Sequence, residues 1–109
     1  MQSMVGTLTP PYYAVIFTSV RTEGDNGYAE MADRLAELAM NQPGFLGADS
    51  ARSGLGITVS YWKDMESIRR WKAQADHAAA QRTGQEMWYA SYSLRIAKVE
   101  KEVHFPPAS

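Results

Sequence analysis

The sequence predicts an α+β domain ordered β-α-β-β-α-β, and three observations carry that expectation. Residues Tyr12 to Arg21 form a β-branched and aromatic run of the kind that fits a strand. Two later segments repeat apolar residues at helical spacing. Turn residues separate these helical segments from three further strand-like runs. At 109 residues and 45% hydrophobic content the chain is expected to form one domain, since domains cluster at ~100–150 residues.

The first strand, YYAVIFTSVR, begins after Pro10-Pro11, and residues 1–11 read as a flexible arm. Asp25-Asn26-Gly27 is a turn and helix-start signal. Tyr28 to Gln42 then reads as the first helix, with Tyr28, Met31, Ala32, Leu35, Leu38 and Ala39 on one face. Pro43-Gly44 stops it. Phe45 to Arg52 reads as a second strand, Ser53-Gly54-Leu55-Gly56 as a tight hairpin connection, and Ile57 to Trp62 as a third strand with period two.

Asp64 is placed to cap the second helix, with Glu66 favouring its dipole. Ile68, Trp71, Ala75, Ala78 and Ala79 form its apolar stripe. Gly84 is expected to end or kink it, Gln85 to Trp88 to add a turn, and Trp88 to Val99 to form the last strand. The domain is thus expected over residues 12–103, with a C-terminal tail at 104–109.

Composition excludes several functions. The chain has no cysteine, so disulfides, thiolate metal sites and a cysteine nucleophile are ruled out. A formal net charge of −1 leaves no electrostatic footprint for nucleic acid or an anionic membrane. Met1 to Thr9 lacks the basic and apolar regions of a signal peptide, and no apolar run approaches the ~20 residues that span a bilayer, so the cytoplasm is the expected compartment. The two histidines, His77 and His104, lie far apart, so no metal site is expected. Ser53-Gly54-Leu55-Gly56 lacks the lysine and following helix of a phosphate cradle.

This order is the ferredoxin-like one, with both helices on one face of an antiparallel sheet. A sheet with one wet face alternates apolar and polar residues. The first strand does not: Tyr13, Val15 and Phe17 point one way, and Tyr12, Ala14, Ile16 and Val20 the other. The helices cover one face only, so the other is expected to meet the same surface of a second copy in a homodimer.

The chain resembles the antibiotic biosynthesis monooxygenase (ABM) domain family. The matching residues are the apolar first strand, Gln42-Pro43-Gly44-Phe45-Leu46-Gly47, and Val59-Ser60-Tyr61-Trp62-Lys63-Asp64 leading into a helix with Ser67, Trp71 and His77. The closing stretch Gly84-Gln85-Glu86-Met87-Trp88-Tyr89, with Tyr92, Arg95, Ile96, Ala97, Val99 and Glu100, is similar to a subgroup associated with polyketide biosynthesis. The resemblance covers residues 12–103. It implies a dimeric α+β barrel with an apolar cleft between helix and sheet in each subunit. The family spans oxygenases, quinol-oxidising and haem-degrading enzymes, and members without assigned activity, so it fixes fold more tightly than chemistry. Its haem-degrading members use a strand asparagine, a helix tryptophan and a late-helix histidine. Here Trp71 matches, but the first strand has no asparagine and the late-helix position is Gln81, which argues against haem.

Candidate site residues follow. Trp71 is either core or a flat wall on which an aromatic substrate stacks. Tyr61, Trp62, Tyr92 and Ser60 are candidates to line the same cleft. His77 falls about opposite Ile68, on a polar side with Arg70, Gln74 and Gln81; a helix break near Ala75-Asp76 would turn it inward as a general base. Arg95 needs a partner if buried, either Asp49 or Glu100, or an anionic substrate oxygen. The strand hydroxyls of Thr58, Ser60, Ser91 and Ser93 show no triad spacing.

The expected function is a cofactor-independent monooxygenase-type enzyme acting on a small aromatic, quinol or polyketide-like molecule. His77 would be the base and Arg95 the positive group. The alternative is a non-catalytic dimeric module that binds a small apolar or aromatic ligand in the same cleft.

Overall fold

The computed structural model describes residues 4–25, 27–80 and 88–107. The order of elements is β1 (Tyr12–Arg21), α1 (Tyr28–Met40), β2 (Phe45–Ser53), β3 (Leu55–Trp62), α2 (Met65–Ala80) and β4 (Tyr89–Val99). The strands form one antiparallel sheet in the order β2-β3-β1-β4, the ferredoxin-like arrangement. The expected β-α-β-β-α-β order and the α+β class therefore hold. Gly84 and the turn at 85–87 lie outside the described residues. Among the described residues no helix is long and apolar enough to cross a membrane.

Local chemistry sets the boundaries. The Asp25 carboxylate accepts from the backbone N–H groups of Gly27 at 2.9 Å and Ala29 at 3.2 Å, meeting donors that the start of α1 leaves free. α1 ends at Met40 rather than at Gln42. The Asn41 amide side chain and backbone both donate to the Glu37 carbonyl, closing the last turn early. The Asp64 carboxylate accepts from Ser67 N–H at 2.7 Å and opens α2 as expected, and the Ser67 hydrogen bonds hold its pKa below the usual carboxylate range. The β2–β3 connection is tighter than the four-residue turn expected. Ser53 pairs with Leu55, and Gly54 alone, at φ 77°, turns the chain.

Gly44 enters β2 at φ 90°, and a Cβ there would collide with the Ser67 side chain at the start of α2. Its carbonyl accepts from Lys63 N–H, so the two chain crossings are pinned together. Gly44→Ala is expected to destabilise by more than the ~1–2 kcal/mol of a left-handed alanine, because the collision adds to it. Gly54→Ala is the control: its φ is 77° but a Cβ there meets nothing within 4 Å. Urea denaturation compares the two, and equal losses would show that the Ser67 contact is slack.

The core lies between the helices and the β2–β3–β1 part of the sheet. Val15, Ala39, Trp62 and Ile68 are buried there, with Tyr13, Phe45, Met65, Trp71 and Leu94 packed against them. Odd-numbered residues of β1 face the helices.

The opposite face is partly covered by the chain's own ends. Val5 N–H donates to Asp49 at 2.8 Å, and the Tyr61 hydroxyl reaches the other oxygen of that carboxylate at 3.2 Å. Glu102 accepts from Leu8 N–H at 2.9 Å and from the Tyr12 hydroxyl at 2.6 Å, and His104 lies 2.7 Å from it. The arm expected to be loose is therefore tied down along residues 5–8. Tyr12, on the face away from the helices, is buried at 5% exposure. Its burial, and then the adjacent Glu102, push its hydroxyl pKa up to about 12. The Tyr12 hydrogen bond, in turn, holds Glu102 below the ordinary glutamate range.

Candidate active site

Among the described residues the helices lie chiefly over β2 and β3 and leave Tyr92 and Ile96 of β4 exposed on the sheet's helix face. Register fixes what is left open. Val15 is opposite Ile96, Phe17 opposite Leu94, and Ser19 opposite Tyr92. Tyr92 is 51% and Ile96 43% exposed although both belong to the helix-facing parity of β4. The result is an apolar strip of Phe17, Tyr92, Leu94 and Ile96, with α2 rising beside it. Phe17, Tyr89 and Tyr92 pack ring against ring at 5.4–5.6 Å.

Trp71 packs against the core cluster, as Leu94 of the strip does. Its ring lies 5.3 Å from that of Trp62, tilted by 35°, and Trp62 is fully buried. The Trp62 indole N–H is satisfied by the Ser60 hydroxyl at 2.9 Å. The Trp71 indole Nε1 is buried and has no hydrogen-bond partner among the described residues. A buried donor without an acceptor costs ~1–3 kcal/mol, so it marks a place where an acceptor is wanted.

The residues predicted from sequence are divided by the sheet. Ser60, Trp62, Trp71 and Tyr92 lie on the helix side. Ser60 and Trp62 serve the core, Trp71 packs against it, and Tyr92 belongs to the open strip. Tyr61 lies on the other face against Tyr12, at 5.7 Å between ring centres, and burial followed by the Asp49 charge raises its pKa. Arg95 also lies on that face, opposite Ile16. It is exposed and donates to the Ser93 hydroxyl at 2.9 Å, rather than to Asp49 or Glu100.

α2 is continuous through Ala75-Asp76, so no break turns His77 inward. His77 is exposed, and with Arg34, Leu38, Ala73, Gln74 and Ala78 it lines an open groove of about 360 Å³ between the two helices. A second open groove, of about 430 Å³, lies between arm and tail around Leu8, Glu102 and His104.

Sequence reasoning passed over Arg21, Arg52 and Tyr89, which gather at the end of the strip beyond Tyr92. Arg52 sits two strands away from Ser19, and only the β2–β3–β1 register brings it there. The signal in the sequence was Gly56, read as a turn residue. In the fold it is a buried strand glycine, and a Cβ there would collide with the Arg52 guanidinium.

The comparisons agree with this geometry. The model of the family described as antibiotic biosynthesis monooxygenase matches residues 11–83. The chain is 50% identical over 104 residues to the uncharacterized protein YqjZ of Bacillus subtilis (strain 168), covering 94% of this chain and 91% of that protein. It is 30% identical over 96 residues to a jasmonate monooxygenase of Pyricularia oryzae, covering 84% of this chain but 45% of that longer protein. In fold it is similar to a point mutant of SnoaB, a cofactor-independent oxygenase from Streptomyces nogalater. The TM-score is 0.70 at 13% identity, over 85% of this chain and 97% of that one. With a family match over most of its length and a half-identical full-length relative, the chain belongs to the antibiotic biosynthesis monooxygenase family.

Proposed function

We propose that this protein is a cofactor-independent monooxygenase-type enzyme that oxidises a small aromatic, quinol or polyketide-like molecule on the apolar strip, working as a homodimer. The observation that carries this reading is the Trp71 indole N–H, buried and without a partner among the described residues, on a ring packed against the same core cluster as Leu94 of the strip. A ring bound there can present an oxygen to Nε1 once the Trp71 side chain turns toward the strip, since the nitrogen is buried in the free protein. The neighbouring oxygenases named above support the reaction class.

In such a reaction an activated ring methylene is oxidised to a carbonyl. Deprotonation makes the ring electron-rich enough to reduce dioxygen. One oxygen atom ends in the carbonyl, and the other leaves as water with the two hydrogens. The substrate supplies all four electrons. The protein's part is to hold the ring, donate to its oxyanion from Trp71 and exclude bulk water. His77, the base expected from sequence, is exposed in the groove between α1 and α2 rather than on the strip, so it takes no part in this reading. Arg95, across the sheet from Trp71, is assigned in this reading to the surface between subunits.

Oxygen uptake with anthrone, whose ring methylene would become a carbonyl, tests the reading. Wild type is expected to consume oxygen faster than the buffer blank, and Trp71→Phe, which keeps the wall and loses the donor, to lower kcat about 10-fold or more. Substrate binding without uptake above the blank would favour the non-catalytic binding module instead.

A further inference from the structure

At the end of the strip, two guanidinium groups converge on a tyrosine cluster. Arg52 reaches from β2 across the bare backbone of Gly56 and donates to the Ser19 hydroxyl of β1 at 2.7 Å. Ser19 is buried and sits opposite Tyr92 of the strip. Arg21, two residues further along β1, lies with its guanidinium carbon 3.5 Å from the centre of the Tyr28 ring. Tyr28 and Tyr89 meet edge to face at 5.8 Å, and Tyr89 meets Tyr92 at 5.6 Å. Burial and the Tyr28 hydroxyl raise the Tyr89 pKa, and the charges of Arg52 and Arg21 pull it back down.

Neither guanidinium is in an ion pair among the described residues, whose pairs are Glu66–Arg69, Asp76–Lys72 and Glu102–His104. A guanidinium carries five N–H donors. Ser19 takes one from Arg52. Arg21 spends one terminal nitrogen on the Gly24 and Asp25 carbonyls, and its Nε is buried with no partner among the described residues. Surface arginines are ordinarily hydrated and need no partner. Here one buried donor is orphaned, and the other guanidinium is aimed along a lane that only a glycine leaves open.

We propose that Arg52 and Arg21 form a carboxylate-binding end to the strip, so that the molecule held there is an acid with an apolar or aromatic body. The planar fork of a guanidinium matches the two oxygens of a carboxylate, and the apolar body would extend from this head over Tyr92, Phe17 and Leu94 towards Trp71. This assignment rests on the strip being the binding site, as proposed above. It adds the polarity of the substrate and the direction in which it lies: acid head by Arg52, reacting ring by Trp71.

The test is a matched pair of ligands, 2-naphthylacetate and 2-naphthylacetamide, followed by quenching of tryptophan fluorescence at low and at physiological salt. The acid is expected to bind the wild type about 10-fold or more tighter than the amide, the range of a charge-assisted pair. Arg52→Gln is expected to remove most of that preference and leave amide binding unchanged. Gly56→Ala keeps both charges but displaces the Arg52 guanidinium, and is expected to weaken acid binding selectively. Equal binding of acid and amide by wild type, or a preference that survives in both variants, overturns the carboxylate end and leaves the strip intact. Binding of neither ligand overturns the strip itself and this assignment with it. Far-ultraviolet circular dichroism confirms folding, and the exposed Arg52 is the safer of the two substitutions.

Discussion

Trp62→Ala is expected to cost about 3–5 kcal/mol of folding stability, the range for removing a buried tryptophan. Total stability for a domain of this size is about 5–15 kcal/mol, so the loss is a large fraction of it. Trp62 has no exposed surface and lies between Phe45, at 5.3 Å and 76°, and Trp71, at 5.3 Å. It is also the last residue of β3 and pairs with both Tyr13 and Phe45, so three strands and one helix meet at its side chain. Alanine would leave a void bounded by these rings, and the surrounding strands cannot collapse into it without losing register. The Ser60 hydroxyl would lose its donor as well. A double-mutant cycle separates the two effects. Ser60→Ala alone leaves a buried indole N–H unsatisfied and is expected to cost ~1–3 kcal/mol, but little more in the Trp62→Ala background. Urea midpoints at constant m-value read all four corners. A loss below ~1.5 kcal/mol for Trp62→Ala would mean that Phe45 and Trp71 close over the void.

Much of this arrangement can be read from residue parity. Tyr13, Val15 and Phe17 against Tyr12, Ala14 and Ile16 announce a sheet apolar on both faces, and the periodicities of α1 and α2 say which side chains pack on it. Asp25 and Asp64 cap their helices where side-chain chemistry predicts. The misreadings come from contacts between residues distant in sequence. Nothing near Arg52 says that its guanidinium crosses β3 to Ser19, because that depends on the register of three strands. Nothing in the polar run at residues 1–11 announces that its backbone N–H groups will meet Asp49 and Glu102, since one partner lies 44 and the other 94 residues away. The candidate site suffers for the same reason. Tyr61 and Arg95 are one residue away in parity from the side that holds Trp71, and alternation alone does not say which side faces the helices. His77 was placed inward only through a helix break, and a run of helix-favouring residues from Lys72 through Ala80 gives the chain no reason to break there.

Leu55→Lys combined with Ile57→Lys is expected to convert a dimer into a folded monomer. The arm and tail already cover Tyr12 and Tyr61, so the uncovered part of the non-helix face is narrower than the strand pattern implies. What remains is Ile16, Val20, Leu55, Ile57 and Val59, neighbours through the Val20–Leu55, Thr18–Ile57 and Ile16–Val59 pairings. Val20 is 40%, Leu55 49% and Ile57 42% exposed in the single chain, so the charges should not disturb the monomer's own core. In a two-fold dimer each substitution occurs twice on one surface. Burying a fully exposed large apolar side chain is worth about 1.5–3 kcal/mol, and Leu55 and Ile57 are about half exposed, so losing four sums to ~3 kcal/mol or more. That is a Kd more than about 100-fold weaker. Arg95 shares this face, and two added lysines per subunit would also raise like-charge repulsion across it, an effect that salt partly screens. Light scattering on a size-exclusion column, at two salt concentrations and with circular dichroism as the folding control, reads the outcome. A wild type that is monomeric at tens of micromolar, or a double variant that stays dimeric, would show that this face does not hold the subunits together. The apolar residues of β1 that point away from the helices would then need another partner.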